Sequence, residues 1–407
     1  MKKNHKKKNH KSRLLLLLML LLLSAVILTS ATYAWFTSNK TVNVADLNVD
    51  VRAVNGLEIS ADAETWGFMI DKDDLIGGYD STLNKNQLPT ILTAVSTAGD
   101  VTGGFMDMYN GVVATKCEDG FTASGSVCIQ SYDATESVDG DGQPIYTCPK
   151  GGELSGTKCI ITGDSDYALS TTKTADRKCY DQKLDGTAND GAIVSKCDSS
   201  NAYYMAFDIF LKVDKGTKLY LTENAGVFNT ASTDSGIKNT TRVAFITQGN
   251  IDSDSYYNGT QDGDGNDITG PQAARELLNG TKAIIWEPNY DTHTISGITA
   301  AQTYYGITNL KTSGSSLQAY EGVYTEFNDV PLVQSSLSEE ERAQYFKKVA
   351  VHLTSEADNK VKIDTGIYLT AGVTKVRVYY WVEGQDVDTE NNASGSSMKL
   401  ALEFTID

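Results

Sequence analysis

Histidine is almost missing from this chain of 407 residues, with four in all. Two of them, His5 and His10, sit in the cationic N-terminus, which leaves His293 and His352, far apart in the chain. No His-Glu-x-x-His occurs, so the helical zinc site of metalloproteases is excluded. No phosphate-cradling glycine loop is present, and no local motif announces Ser-His-Asp or Cys-His nucleophiles. The chain therefore reads as non-enzymatic and without a cofactor. Proline is scarce at six residues. Turns fall to Gly, Ser, Thr, Asn and Asp, which punctuate short apolar runs among 21 tyrosines, the texture of an all-β protein. Positive charge is also short, at 35 Lys and Arg against 52 Asp and Glu.

The basic residues that exist are concentrated at the start. Lys2, Lys3, Lys6, Lys7, Lys8, Lys11 and Arg13 precede the apolar run Leu14 to Leu23 and a mixed stretch to Ala34. This is the layout of an export signal, with a cationic end retained inside and an apolar segment entering the membrane. Ala31-Thr32-Tyr33-Ala34 supplies small residues for signal peptidase, predicting a signal peptide at 1–34 and a cut between Ala34 and Trp35. If uncut, the run from Leu14 to Phe36 reaches the length of about 20 residues that a transmembrane helix needs. Processing removes seven basic residues and no acidic one, so the mature chain, 35–407, carries 28 basic against 52 acidic groups, a formal −24. Such a surface repels phosphate backbones and anionic lipid, so no nucleic-acid partner is expected, and membrane contact only through the N-terminal segment. The expected location is extracellular, at a cell surface or secreted.

Alternation locates the strands. Val42 and Val44, then Leu47, Val49 and Val51, change phase at Ala45-Asp46, as at a bulge or a break between strands. Asn55-Gly56 follows, the strongest short hairpin signal, and Leu57 and Ile59 resume the alternation on the return strand, so residues 41 to 60 read as strand, tight turn, strand. Further strands are expected at 202–213, 218–222, 242–247, 282–286, 361–369, 375–382 and 398–406. Ser338-Glu339-Glu340-Glu341 is a capping box opening a helix at 338–349. The expected architecture is a jelly-roll-like β-sandwich, its first portion at 35–110 and its second at 201–407.

Between them, 111–200 holds all six cysteines in a cysteine-rich, loop-rich insertion. Cys117 to Cys128 and Cys148 to Cys159 share the pattern Cys-x-x-Gly-x-x-x-Ser-Gly-x-x-Cys, an internal repeat. A Ser-Gly turn brings each pair within bridging distance, and Cys179 with Cys197 completes an even count. Sequential pairing is the expectation among several connectivities. Zinc is the competing reading, but no pair has the two-to-four-residue separation that thiolate sites use. Closing such a loop contributes about 3 kcal/mol, enough to order a small insertion with little core.

The stretch Thr32 to Ala53, TYAWFTSNKTVNVADLNVDVRA, resembles the processing site and first strands of the camelysin and TasA family. These are surface and biofilm-matrix proteins of Gram-positive bacteria, exported with a SipW-type signal peptidase. The shared features are Ala34 before the cut, Phe36 after it, and a polar stretch leading into Leu47-Asn48-Val49. Segments Ile284 to Thr294 and Val376 to Phe404 are also similar to pieces of large surface proteins of this type. The resemblance implies a fibre subunit whose N-terminal strand, carrying Val42, Val44, Leu47, Val49 and Val51, is donated to the next copy. An alternating strand at a new N-terminus otherwise exposes unpaired backbone. The same alternation serves equally for an ordinary strand in its own domain. The alternative is a monomeric adhesin contacting a ligand through loops near the insertion and 384–396. No sorting motif or lipid-accepting cysteine is present, so retention is expected to rest on self-assembly, a partner or an uncut signal.

Two metal ideas are weaker. Asp262, Asp264 and Asn266 alternate like the first half of a calcium loop, but Ala273 stands where a bidentate Glu is needed. Asp139-Gly140-Asp141-Gly142 has the same flavour, and both read as polar turns, so no metal is assigned. Trp286, Glu287 and His293 suggest a site on paper. The expectation is structural, with the indole buried and Glu287 solvated.

Overall fold

A computed structural model describes residues 47–77, 79, 86–89, 92, 94–124, 127–163, 165–173, 203–230, 235–305, 308–314, 330–331, 338, 340–341, 349–353, 355–356, 362–384, 386–389 and 397–407. Two facing sheets form a β-sandwich. The strands are β1 (Leu47–Ala53), β2 (Glu58–Ser60), β3 (Met69–Asp71), β4 (Tyr204–Val213), β5 (Thr217–Thr222) and β6 (Gly226–Asn229). They continue with β7 (Thr241–Ile251), β8 (Ile284–Trp286), β9 (Ser355–Glu356), β10 (Lys362–Leu369), β11 (Gly372–Val382) and β12 (Met398–Ile406). The seven-stranded sheet runs β9-β10-β5-β12-β1-β3, with β6 also on β12. The five-stranded sheet runs β2-β4-β11-β7-β8. Strands from both sides of the cysteine-rich segment enter both sheets.

The strand β11 shows why the molecule has more than two layers. Val376, Val378, Tyr380 and Val382 face the sandwich core, where they join Phe207, Val243, Leu402 and Phe404. The alternate residues Tyr379 and Trp381 face outward but are equally buried. Val95, Met106, Met108, Ile285 and Val351 pack over them, with Ala206, Ala244 and Ile246, in a second cluster. A strand covered on both faces loses the apolar-polar alternation of a half-exposed one. All eleven residues of β11 are buried.

The turn at Asn55-Gly56 forms, with φ of 62° and 84°. It does not make a hairpin. β1 lies in the seven-stranded sheet and β2 pairs with β4 in the other. The turn therefore carries the chain across the core, and apolar residues on both sides, Val51 and Leu57, are drawn into it. Glu341 and Ser338 cap each other as expected, Ser338 N donating to Glu341 Oε2 at 2.7 Å and Glu341 N to Ser338 Oγ at 3.2 Å. Most of that helix lies outside the described residues. Helices without a clear sequence signal occur at Lys72–Gly77, Ser253–Asn258, Gly270–Glu276 and Ile295–Tyr305.

The insertion stands on a stem of two long strands, to which Val330–Pro331 adds a short third beside Ala168 and Leu169. Tyr109–Cys117 pairs antiparallel with Ser165–Lys173 along its whole length, from Tyr109↔Lys173 to Cys117↔Ser165. Beyond it lies a head of short strands joined by tight turns. Its four-stranded sheet runs Glu153–Ser155, Lys158–Gly163, Val127–Asp133, Thr122–Ser124. The repeat carries Cys117 onto Cys148 and Cys128 onto Cys159. In the central pairing Gln130 stands opposite Ile161, its own repeat counterpart. The two halves are thus related by a local pseudo-twofold axis. Among the described side chains of the head, Cys128 and Cys159 alone are buried.

Candidate functional site

The strand singled out for assembly occupies a seat of its own chain. β1 runs parallel to β12, from Leu47↔Met398 to Ala53↔Phe404. On its other side β3 pairs antiparallel with Asp50, Val51 and Arg52 only. Val49 and Val51 are fully buried and Ala53 nearly so, against Leu400, Leu402 and Phe404. The opposite face carries charge. Asp50 pairs with Lys399 on β12 and lies 3.8 Å from Arg52. The strand's exit is fastened to the last strand as well: Val54 N donates to Phe404 O at 3.0 Å, and Asn55 Nδ2 to Thr405 Oγ1 at 2.7 Å. Leu47, Val49 and Val51 therefore share one strand, whereas Val42 and Val44 lie outside the described residues, as do Ala34 and Trp35.

Beside this seat, the short link from β2 to β3 closes the sandwich edge. Asp62 caps it, its carboxylate accepting from Glu64 N at 2.8 Å, Thr65 N at 2.7 Å and the hydroxyls of Ser60 and Thr65. Burial raises the Asp62 carboxyl, but these donors outweigh it and hold the group below its ordinary value. Phe68 and Met69 are exposed at 61% and 57%. An open cleft of about 360 Å³ lies between Ile59, Trp66, Met69 and Asp73.

Two of the expected disulfides are formed, Cys117–Cys128 and Cys148–Cys159, with Cα separations of 5.5 and 5.6 Å. Cys179 and Cys197 lie outside the described residues. The bridges fit a compartment in which disulfides persist. No helix among the described residues is long and apolar enough to cross a membrane, and the run 14–36 is not among them.

The calcium-like loop is a turn held by its own first residue. Asp262 Oδ1 accepts from Asp264 N at 2.9 Å and Asn266 N at 2.8 Å, while Asp262 N donates to Asn266 O at 2.9 Å. Asp139 repeats this arrangement, accepting from Asp141 N at 2.9 Å and Gln143 N at 2.8 Å. In both loops the carboxylate replaces a strand neighbour as acceptor.

Glu287 departs from expectation: it is buried, 4% exposed, and not solvated. Its partner is Arg242, whose Nη1 lies 3.0 Å from Oε1, while Nη2 contacts Asp386 Oδ2 at 2.7 Å. Arg242 projects from the outer face of β7, beneath the loop that follows β11. Glu383 and Asp388 of that loop are buried too. His293 Nδ1 meets Asp388 Oδ2 at 2.9 Å, and Thr294 N and Oγ1 both donate to Asp388 Oδ1 at 2.7 Å. Burial pushes the Asp386 carboxyl above its ordinary range despite Arg242, and Asp388 adds to that push. The His293 and Asp388 side chains are 2% and 0% exposed, and the pair fastens a helix start to a loop.

A second cluster sits on the same outer face. Asp208 of β4 contacts Lys375 and Arg377 of β11 at 3.3 and 2.8 Å. Burial raises the Asp208 carboxyl, and the two cations more than reverse it, leaving the group below its ordinary value. Arg242, Asp208, Lys375 and Arg377 are visible in the sequence as charges inside apolar strands. Glu383, Asp386 and Asp388 give no such sign, because Glu-Gly-Gln-Asp-Val-Asp reads as an exposed turn. Set against protein-family models, curated proteins and solved structures, the chain matches none of them.

Proposed function

We propose that this is an exported, non-enzymatic structural protein of a cell surface or biofilm matrix, assembling through its N-terminal strand. The observation that carries the reading is the seat of β1. It lies between the C-terminal strand and a three-residue neighbour, with Val49, Val51 and Ala53 buried in a groove that an identical strand from a second copy would fill equally well. Exchange of β1 keeps every backbone pair and apolar contact, so its cost lies in opening the monomer. The disulfides and the cationic, apolar N-terminus support export, and the acidic surface keeps subunits soluble before assembly.

Deleting Trp35 to Ala53 tests this. The deletion removes Val49 and Val51, each worth about 1.5–3 kcal/mol of burial. The truncated subunit should melt early, fail to form fibres, and regain stability on addition of a synthetic peptide of residues 35–53. Full-length mature protein should form fibres under the electron microscope as concentration rises. A mature chain that stays monomeric at high concentration, with β1 protected from hydrogen exchange, would rule the reading out.

The stapled head favours a second reading, a monomeric adhesin. Val138, Ile145 and Leu154 are exposed on it, at 69%, 43% and 50%. A head-deleted chain that still forms fibres but loses attachment to surfaces would assign the two roles to separate regions.

A further inference from the structure

Asp208, Lys375 and Arg377 lie on neighbouring strands with side chains at most 3% exposed. Lys375 and Arg377 both lie against the Asp208 carboxylate in the interior, where burial penalises each charge. We propose that Lys375 and Asp208 condense into an intramolecular amide, a covalent cross-link between β4 and β11. Nothing in this depends on the assembly reading.

The geometry divides the labour between the two carboxylate oxygens. Arg377 Nη1 holds Oδ1 at 2.8 Å, while Lys375 Nζ lies 3.3 Å from Oδ2 and the Tyr79 hydroxyl 3.4 Å from the same atom. A proton passes from the Lys375 ammonium to Oδ2, 3.3 Å away. The freed nitrogen lone pair then attacks Cγ, and the carbonyl electron pair moves to Oδ1, where the guanidinium stabilises it. Collapse restores the C=O at Oδ1 and breaks the bond to Oδ2. That oxygen takes a second proton from nitrogen and leaves as water. Ammonium and carboxylate contain every atom of the amide and the water, so no other reactant is needed.

Three features favour the step. Burial lowers the Lys375 pKa, with Asp208 opposing and Arg377 reinforcing, which makes the amine more accessible. Lys375 Nζ also donates to Arg275 O at 2.7 Å, which fixes the nitrogen in place. Arg377 keeps partners after condensation, namely the amide oxygen and the rings of Phe105 and Tyr379, at 5.1 and 5.4 Å.

The test uses full-length protein, denatured, reduced, alkylated, digested with trypsin and read by mass spectrometry. The expected result is no cleavage after Lys375, and a branched peptide joining both strands that is lighter than its two components by one water. Asp208→Ala and Lys375→Met should each abolish it. Wild-type protein yielding only linear peptides cut after Lys375 overturns the proposal, and that measurement stands whether or not a variant folds.

Discussion

Single residues show where charge inside this protein comes from. Arg242 answers both Glu287 and Asp386 with no solvent between. Replacing it with Met strands two buried carboxylates, and the loss should be about 3–5 kcal/mol in denaturant unfolding. A surface ion pair such as Lys158–Asp133, exposed on both sides, should give about 1 kcal/mol or less by the same measurement. Asp62 gives a pH signature. Its carboxyl is held below the ordinary 3.8 in the folded chain, so its contribution is present above that value and is lost as pH falls through the folded one. The melting-temperature gap between wild type and Asp62→Ala should be constant near neutrality and close in acid below 3.8. A gap that persists at the lowest pH would assign the effect to packing. Glu287 was legible as a carboxylate beside a Trp, but its burial depends on Arg242 on a different strand, and distance in sequence hides such partners.

At the level of elements, the strands with strong alternation were legible and their partners were not. Met398–Ile406 has the expected bounds, since a run such as Met-x-Leu-x-Leu-x-Phe fits one buried face and one wet face. Asn55-Gly56 predicted the backbone of a turn correctly, yet local chemistry cannot tell a hairpin from a crossing between sheets. The short helices were missed although Asp252 and Thr269 are N-caps, each accepting from a backbone N–H three residues on. With six or seven residues each they leave no periodic stripe to read. Two glycines separate strain from space. A Cβ at Gly56 meets nothing within 4 Å, so Gly56→Ala should cost only the left-handed φ of 84°, about 1–2 kcal/mol. Gly372, at φ 109°, would also drive a Cβ into the carbonyl of Ile251, so Gly372→Ala should be clearly worse in the same thermal unfolding assay.

For the molecule as a whole, stability is divided unevenly between sandwich and head. The sandwich holds extensive clusters of buried apolar side chains, and the head has two buried half-cystines and exposed or half-exposed side chains elsewhere among its described residues. Each bridge contributes about 3 kcal/mol through its closed loop. Reducing agent should therefore open residues 117–163 to protease and hydrogen exchange while the sandwich melts as before. Loss of the sandwich transition on reduction would show that the head supports it.

The parallel pairing of β1 with β12 also has a mechanical meaning. The chain enters the sandwich at one end of this pair and leaves it at the other, so tension between the termini pulls the two strands along their length in opposite senses. All the backbone bonds from Leu47↔Met398 to Ala53↔Phe404 then carry load together, and must fail together. An antiparallel hairpin pulled at its open end would instead unzip, bond after bond. Stretching the chain by its ends should meet a single high force peak, whereas pulling from the head stem should not. A strand shared between copies by the same register would form a joint that is loaded in shear and resists flow.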